Sequence, residues 1–119
     1  MTITMPDRAA HHRPVTELSA AELEYRVLSA GPRPCALPGA NPDDWFPPEP
    51  GCGNHVRSKS RARYEARAWA LCRFCPVALE CLELAIQREG PARGHGISGG
   101  TAPWQRQAIK ASRGLAVRA

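Results

Sequence analysis

Cys72-Arg73-Phe74-Cys75-Pro76-Val77-Ala78-Leu79-Glu80-Cys81 is a C-x2-C-x5-C run, and a further thiol, Cys35, lies well upstream. Two thiols on a tight turn and a third one or two helical turns later can converge on one metal centre, with Cys35 closing the set from another part of the chain. Pro76 suits the first turn of a helix, where its missing N–H has no intrahelical partner in any case. That helix should run to about Glu89 and stop at Gly90-Pro91. Cys81, Leu84 and Ala85 share one face of it, so the third cysteine points inward with the apolar residues. The helix N-terminus lies beside Cys75, where backbone N–H groups favour a thiolate.

The rest of the chain explains why such a centre is needed. Leu, Val, Ile and Phe together make 20 of the 119 residues, below the roughly 20% at which a charged chain starts to resemble a disordered one. So thin a core does not offset the entropy of ordering the backbone without a covalent or metal staple. The length fits one domain with tails. We assign residues 1–15 to a disordered N-terminal tail, 16–112 to a helical domain and 113–119 to a basic C-terminal tail. The fold class is all-α: about four short helices organised around the cysteines, with flexible termini.

Ser19-Ala20-Ala21-Glu22 reads as a capping box that opens a first helix to about Ser29, ended by Gly31-Pro32, with Leu18 and Leu23 at the staple positions. Leu23 and Val27 share a face that can shield a buried site. Residues 32–53 are too rich in Pro and Gly to form a regular element. They carry Cys35 and the aromatic pair Trp45-Phe46, which either packs on the nearest core or meets a partner. Ser58 or Ser60 can cap a second helix through Leu71, in which Tyr64, Ala68 and Leu71 form an apolar stripe leading into Cys72. Its other faces carry Arg57, Lys59, Arg61, Arg63 and Arg67, a solvated basic face by default. Thr101 can cap a last helix through about Ser112, with Pro103 in its first turn.

A net charge of +5 and a pI near 9.3 suit an anionic partner such as nucleic acid. No apolar run approaches the roughly 18 residues of a membrane span, and the N-terminus has no stretch of signal-peptide length. A cytoplasmic setting follows, where clustered cysteines bind metal more often than they form structural disulfides. His11-His12 reads as a solvated pair. Gly94-His95-Gly96-Ile97-Ser98-Gly99-Gly100 is a glycine-rich turn that lacks the Lys-Ser/Thr of a phosphate loop and follows no strand, so it does not bind a nucleotide.

By ligand count, four thiolates suit zinc and iron–sulfur alike. Two details favour a cluster: Cys35 stands alone rather than in a second C-x2-C pair, and Cys75 is followed by proline. Cys52, between Gly51 and Gly53, is an alternative remote ligand, ranked behind Cys35 and read as a free thiol.

The ordered set of Cys35, Asn41-Pro42-Asp43-Asp44-Trp45-Phe46-Pro47, Cys72-Arg73-Phe74-Cys75-Pro76-Val77, Glu80-Cys81-Leu82 and Gly96-Ile97-Ser98-Gly99-Gly100-Thr101 resembles the WhiB-like proteins of actinobacteria and their phages. The similarity spans roughly residues 35 to 110. It implies one 4Fe-4S cluster on Cys35, Cys72, Cys75 and Cys81, and a transcriptional regulator, not an enzyme, that responds to nitric oxide or redox state. It further implies the C-terminal domain of the principal sigma factor as partner, met through Trp45, Phe46, Gly96, Ile97, Gly99 and Gly100. DNA would be met through the basic C-terminal segment with Arg106, Lys110, Arg113 and Arg118. One departure matters. The family turn usually reads G-[VI]-W-G-G, and here Ser98 stands where its tryptophan would be, with Trp104 six residues later able to reach the same region. Two rivals from other classes are a structural zinc module that binds DNA, and a protein disulfide reductase using Cys72 and Cys75 in the apo form, where these thiols could pair.

Overall fold

The computed structural model describes residues 13–50 and 54–118. Within them are four α-helices: α1 (Ala20–Ser29), α2 (Asn54–Cys72), α3 (Ala78–Glu89) and α4 (Pro103–Ser112), with single 3-10 turns at Val15–Glu17, Pro34–Ala36 and Pro42–Trp45. Among the described residues there is no strand, only an antiparallel bridge between Ser98 and Thr101 that pinches the glycine turn. The all-α expectation holds. Most of the expected N-terminal tail, and Cys52 with it, lies outside the described residues.

Capping chemistry sets the helix ends. The Ser19 hydroxyl accepts the Glu22 N–H and the Glu22 carboxylate accepts the Ser19 N–H, both at 3.1 Å, so α1 begins where the capping box places it. α3 ends on Gly90, whose φ of +58° turns the chain out of the helix. Three boundaries differ from the expectation. α2 starts at Asn54, ahead of Ser58 and Ser60, and carries Cys72 in its last turn. Pro76 lies in the turn before α3, which opens at Ala78. Thr101 does not cap α4. Its hydroxyl donates to the Ser98 carbonyl at 2.6 Å, and the Ala102 N–H is taken by the Gln105 side chain at 2.8 Å.

The core is in two parts. Leu18, Leu23, Val27, Val77 and Leu84 bury the α1–α3 interface, with Cys75 and Cys81 packed against it. Tyr64, Ala68, Cys72, Ile97 and Ala102 form a second cluster between α2, the glycine turn and α4, joined by Trp45, Leu71 and Trp104. The three C-terminal cysteines are therefore divided between the clusters, Cys75 and Cys81 against the first and Cys72 in the second. No helix among the described residues is long and apolar enough to cross a membrane.

α4 is fixed to α3 by charge. Arg106 and Lys110 are fully buried and both engage Glu89, at 2.8 and 2.9 Å. Arg113 grips Glu83 with two N–H groups at 2.9 and 2.5 Å. In a chain with so few large apolar side chains, these pairs close an interface that aliphatic packing would otherwise close.

Candidate metal centre

Cys35, Cys72, Cys75 and Cys81 line one cavity of about 210 Å3, whose walls include Val27, Arg33, Trp45, Phe46, Leu71, Val77, Ile97 and Gly99. Each thiol reaches it by a local device. Cys72 ends the apolar stripe of α2 and is buried. Cys75 follows in a tight turn closed by its N–H on the Cys72 carbonyl at 3.0 Å. Cys81 comes from the first turn of α3, its N–H on the Val77 carbonyl at 2.9 Å. Cys35 sits in the Pro34–Ala36 turn and is exposed, at the rim, with the Arg33 guanidinium 4.0 Å from its sulfur.

The polar surroundings of the sulfurs come mainly from the glycine turn. Burial pushes the Cys72 thiol above its ordinary pKa, opposed by the Gly100 N–H and the Trp45 side chain and reinforced by the Cys75 and Cys35 thiols. Cys81 is likewise raised by burial, against the Gly99 N–H, with the other three sulfurs adding to the rise. Gly99 has φ of +56°, and a Cβ there would stand 2.5 Å from the Ala78 carbonyl oxygen and 2.6 Å from Leu82. Only glycine brings its N–H this close to the start of α3.

Two ties hold the turn in place. The Ile97 N–H donates to the Trp45 carbonyl at 2.6 Å, joining it to the Pro42–Trp45 loop, and that loop is anchored to α2 through Arg67 and Asp44 at 3.0 Å. On the other side, the Arg106 guanidinium reaches the carbonyls of Gly96 at 2.9 Å and Thr101 at 2.8 Å. Residues 95–101 are thus held from α4 by an arginine that Glu89 fixes in turn.

Six side or main chains expected to meet a partner gather here. Trp45, Phe46, Ile97 and Gly99 line the cavity, Gly96 lies against the Phe46 ring, and Gly100 faces Cys72. The aromatic pair divides: Trp45 packs inward on the second cluster, and Phe46 is 62% exposed. Trp104 does not stand in for the missing tryptophan at Ser98. Its indole N–H donates to Glu65 at 2.6 Å, and its ring meets Tyr64 edge-on at 4.9 Å, so it serves the α2–α4 contact. The basic set expected to meet DNA is largely paired with acids of α3. Arg106 and Lys110 face inward on Glu89 and Arg113 is paired with Glu83, which leaves Arg118 as the member of that set without a described ion pair. The spacing of Arg106 and Lys110, one turn apart on a short helix, was a signal of a shared partner, and that partner is Glu89.

The donor set fits a multi-iron group. Four soft thiols surround a largely apolar chamber with N–H groups directed at two of them. No three of the described His, Cys, Asp or Glu side chains converge closely enough to hold a single ion.

Comparison with known proteins agrees with this geometry. A family model described as transcription factor WhiB matches residues 34–109. The redox-responsive transcriptional regulator WhiB3 of Mycolicibacterium smegmatis is 33% identical over 89 residues, covering 66% of this chain and 90% of that protein. No solved structure gives a significant match. With the match running from the residue before Cys35 into α4, and so through all four cysteines and the glycine turn, the chain belongs to the WhiB family.

Proposed function

We propose that this protein is a redox-responsive transcription regulator that holds one 4Fe-4S cluster on Cys35, Cys72, Cys75 and Cys81 and acts with a sigma factor C-terminal domain at promoter DNA in the cytoplasm. The observation that carries the reading is the shared cavity: four thiols from three segments, gathered between the two halves of a thin core. When bound, such a cluster supplies one-electron redox chemistry and reactivity toward nitric oxide and oxygen. The chain's own residues hold and shield it. Val27, Trp45 and Leu71 exclude water, Gly99 and Gly100 direct N–H groups at Cys81 and Cys72, and Cys35 leaves the rim accessible to small molecules.

Because Cys72 and Cys81 sit in different core clusters, the two halves are joined through the thiol set, and release of the thiols loosens that joint. Folding is then coupled to the bound group. Phe46, exposed beside Gly96, and the glycine turn are the surface we assign to the sigma partner. The family match runs through all four cysteines and the glycine turn, so the zinc module is the weaker alternative. A disulfide reductase fits poorly, since an α-helix and not a strand of a β-α-β unit leads into the Cys72–Cys75 pair.

The test is capture of a sigma factor C-terminal domain by the anaerobically purified protein, before and after exposure to nitric oxide. The reading expects a complex before exposure, its loss afterwards, and at least about tenfold weaker capture by Phe46→Ala, the scale of a central interface aromatic. Equal capture in all three samples overturns it.

A further inference from the structure

With Arg106, Lys110 and Arg113 facing acids of α3, the chain's excess positive charge has to reside elsewhere. Residues 59–73 of α2 and its C-terminal turn hold five basic residues, Lys59, Arg61, Arg63, Arg67 and Arg73, against one acidic residue, Glu65. Glu65 points to the opposite side, on the Trp104 indole. Most of the surplus of +5 therefore sits on this one helix.

Its buried side is Tyr64, Ala68 and Cys72. At 100° per residue, Lys59, Arg63, Arg67 and Arg73 fall on the other side, all exposed. The residues between them on that face, Ala62, Ala66 and Ala70, are also exposed, and their small side chains let another surface approach the helix backbone. Lys59 and Arg63 have no ion-pair partner among the described residues. Arg67 shares Asp44 in a pair that leaves both side chains about half exposed. Arg73 is held over the rings of Trp69 and Phe74, at 4.6 and 4.3 Å, which fixes the direction of its charge. From Lys59 to Arg73 the row spans about 21 Å at 1.5 Å per residue, long enough to follow several phosphates. A single helix with short side chains on its outer face also matches the roughly 12 Å width of the major groove.

We infer that the exposed face of α2, through Lys59, Arg63 and Arg73 with Arg67 beside them, is the surface that meets the phosphates of duplex DNA, in place of the C-terminal segment. This rests on the reading of the protein as a regulator acting at DNA, and supplies the surface. The contact is with backbone phosphate, so it positions the protein and carries no base preference of its own.

The test is fluorescence anisotropy of a labelled duplex of arbitrary sequence, titrated with the full-length cluster-loaded protein over a series of salt concentrations. Lys59→Gln/Arg63→Gln is the first variant, since both positions are remote from the cysteines in sequence and exposed; Arg73→Gln is then added. The expected result is binding about tenfold or more weaker at low salt, with the slope of log K against log salt shallower by about 0.9 for each phosphate no longer neutralised. Helicity and visible absorption should stay at the wild-type level, and Arg118→Gln should bind within about twofold of wild type. Wild-type affinity and slope in the double and triple variants overturn the proposal, as does loss of binding in Arg118→Gln alone. If the variants keep DNA binding but lose capture by RNA polymerase, the face belongs to a protein partner and the proposal fails. If the wild-type protein binds no duplex even at low salt, the reading of the protein as acting at DNA fails along with it, an outcome distinct from the first.

Discussion

Arg106 shows how a residue's charge can mislead about its task. A guanidinium in a basic C-terminal segment reads as a phosphate ligand, yet here it is buried, bonded to Glu89 and to the carbonyls of Gly96 and Thr101. Removing one member of a buried ionic set leaves the others uncompensated, typically at about 3–5 kcal/mol. Arg106→Met should therefore lower the urea midpoint markedly, since a loss of that size is a large part of the roughly 5–15 kcal/mol stability of a small domain. Arg106→Lys, which lacks the planar fork, should recover only part of that loss. Gly99→Ala tests the other end of the same series of bonds. The added methyl meets the Ala78 carbonyl oxygen, so the turn must shift and withdraw its N–H from Cys81, and bound iron should be lost faster on incubation with a chelator. At the far end of the molecule, Ser19 and Arg13 hold the Glu22 carboxyl below its ordinary pKa of 4.5, chiefly through the Ser19 backbone N–H. A depressed carboxyl pKa stabilises the fold above 4.5 and ceases to as pH falls through the lowered value. Ser19→Ala should cost about 1 kcal/mol in thermal unfolding, and it is Glu22→Gln whose gap to wild type should narrow on acidification below 4.5.

At the scale of elements, α1 and α3 were legible because their signals are local: a capping box, a glycine stop and apolar residues at helical spacing. The start of α2 was not, since Ser58 and Ser60 are adequate caps and nothing nearby opposes them; the helix extends past both. The gathering of the cysteines was legible from spacing, because C-x2-C-x5-C constrains where three sulfurs can go. What spacing could not convey is that the glycine turn supplies N–H groups to those sulfurs, or that α4 holds the turn. Both depend on residues far apart in sequence: Glu89 and Arg106 are joined only once α3 and α4 pack. α4 is accordingly expected to be indispensable. A chain ending at Thr101 loses Arg106, Lys110 and Trp104 together, stranding Glu89 and uncovering Tyr64, and circular dichroism should show it largely unfolded. A chain ending at Leu115 keeps the Leu115 N–H on the Lys110 carbonyl at 2.9 Å and should melt close to the full-length protein.

Over the whole molecule, the cavity lies where two small apolar clusters meet, and neither cluster is large enough to hold four helices alone. In the function proposed above, the thiol set is the joint of the fold as well as its chemistry, which accounts for a composition so poor in large aliphatic residues. The family match covers this joint from end to end, which is the part of the chain that both sequence and structure single out. The most direct measurement is the iron and acid-labile sulfide content of the anaerobically purified protein, taken for wild type, Cys35→Ser and Cys52→Ser. The account predicts about four irons and four sulfides per chain in wild type and in Cys52→Ser, with a broad visible absorption lost in Cys35→Ser. A colourless wild-type protein carrying one zinc, or a Cys35→Ser variant that retains the full iron content, would contradict it.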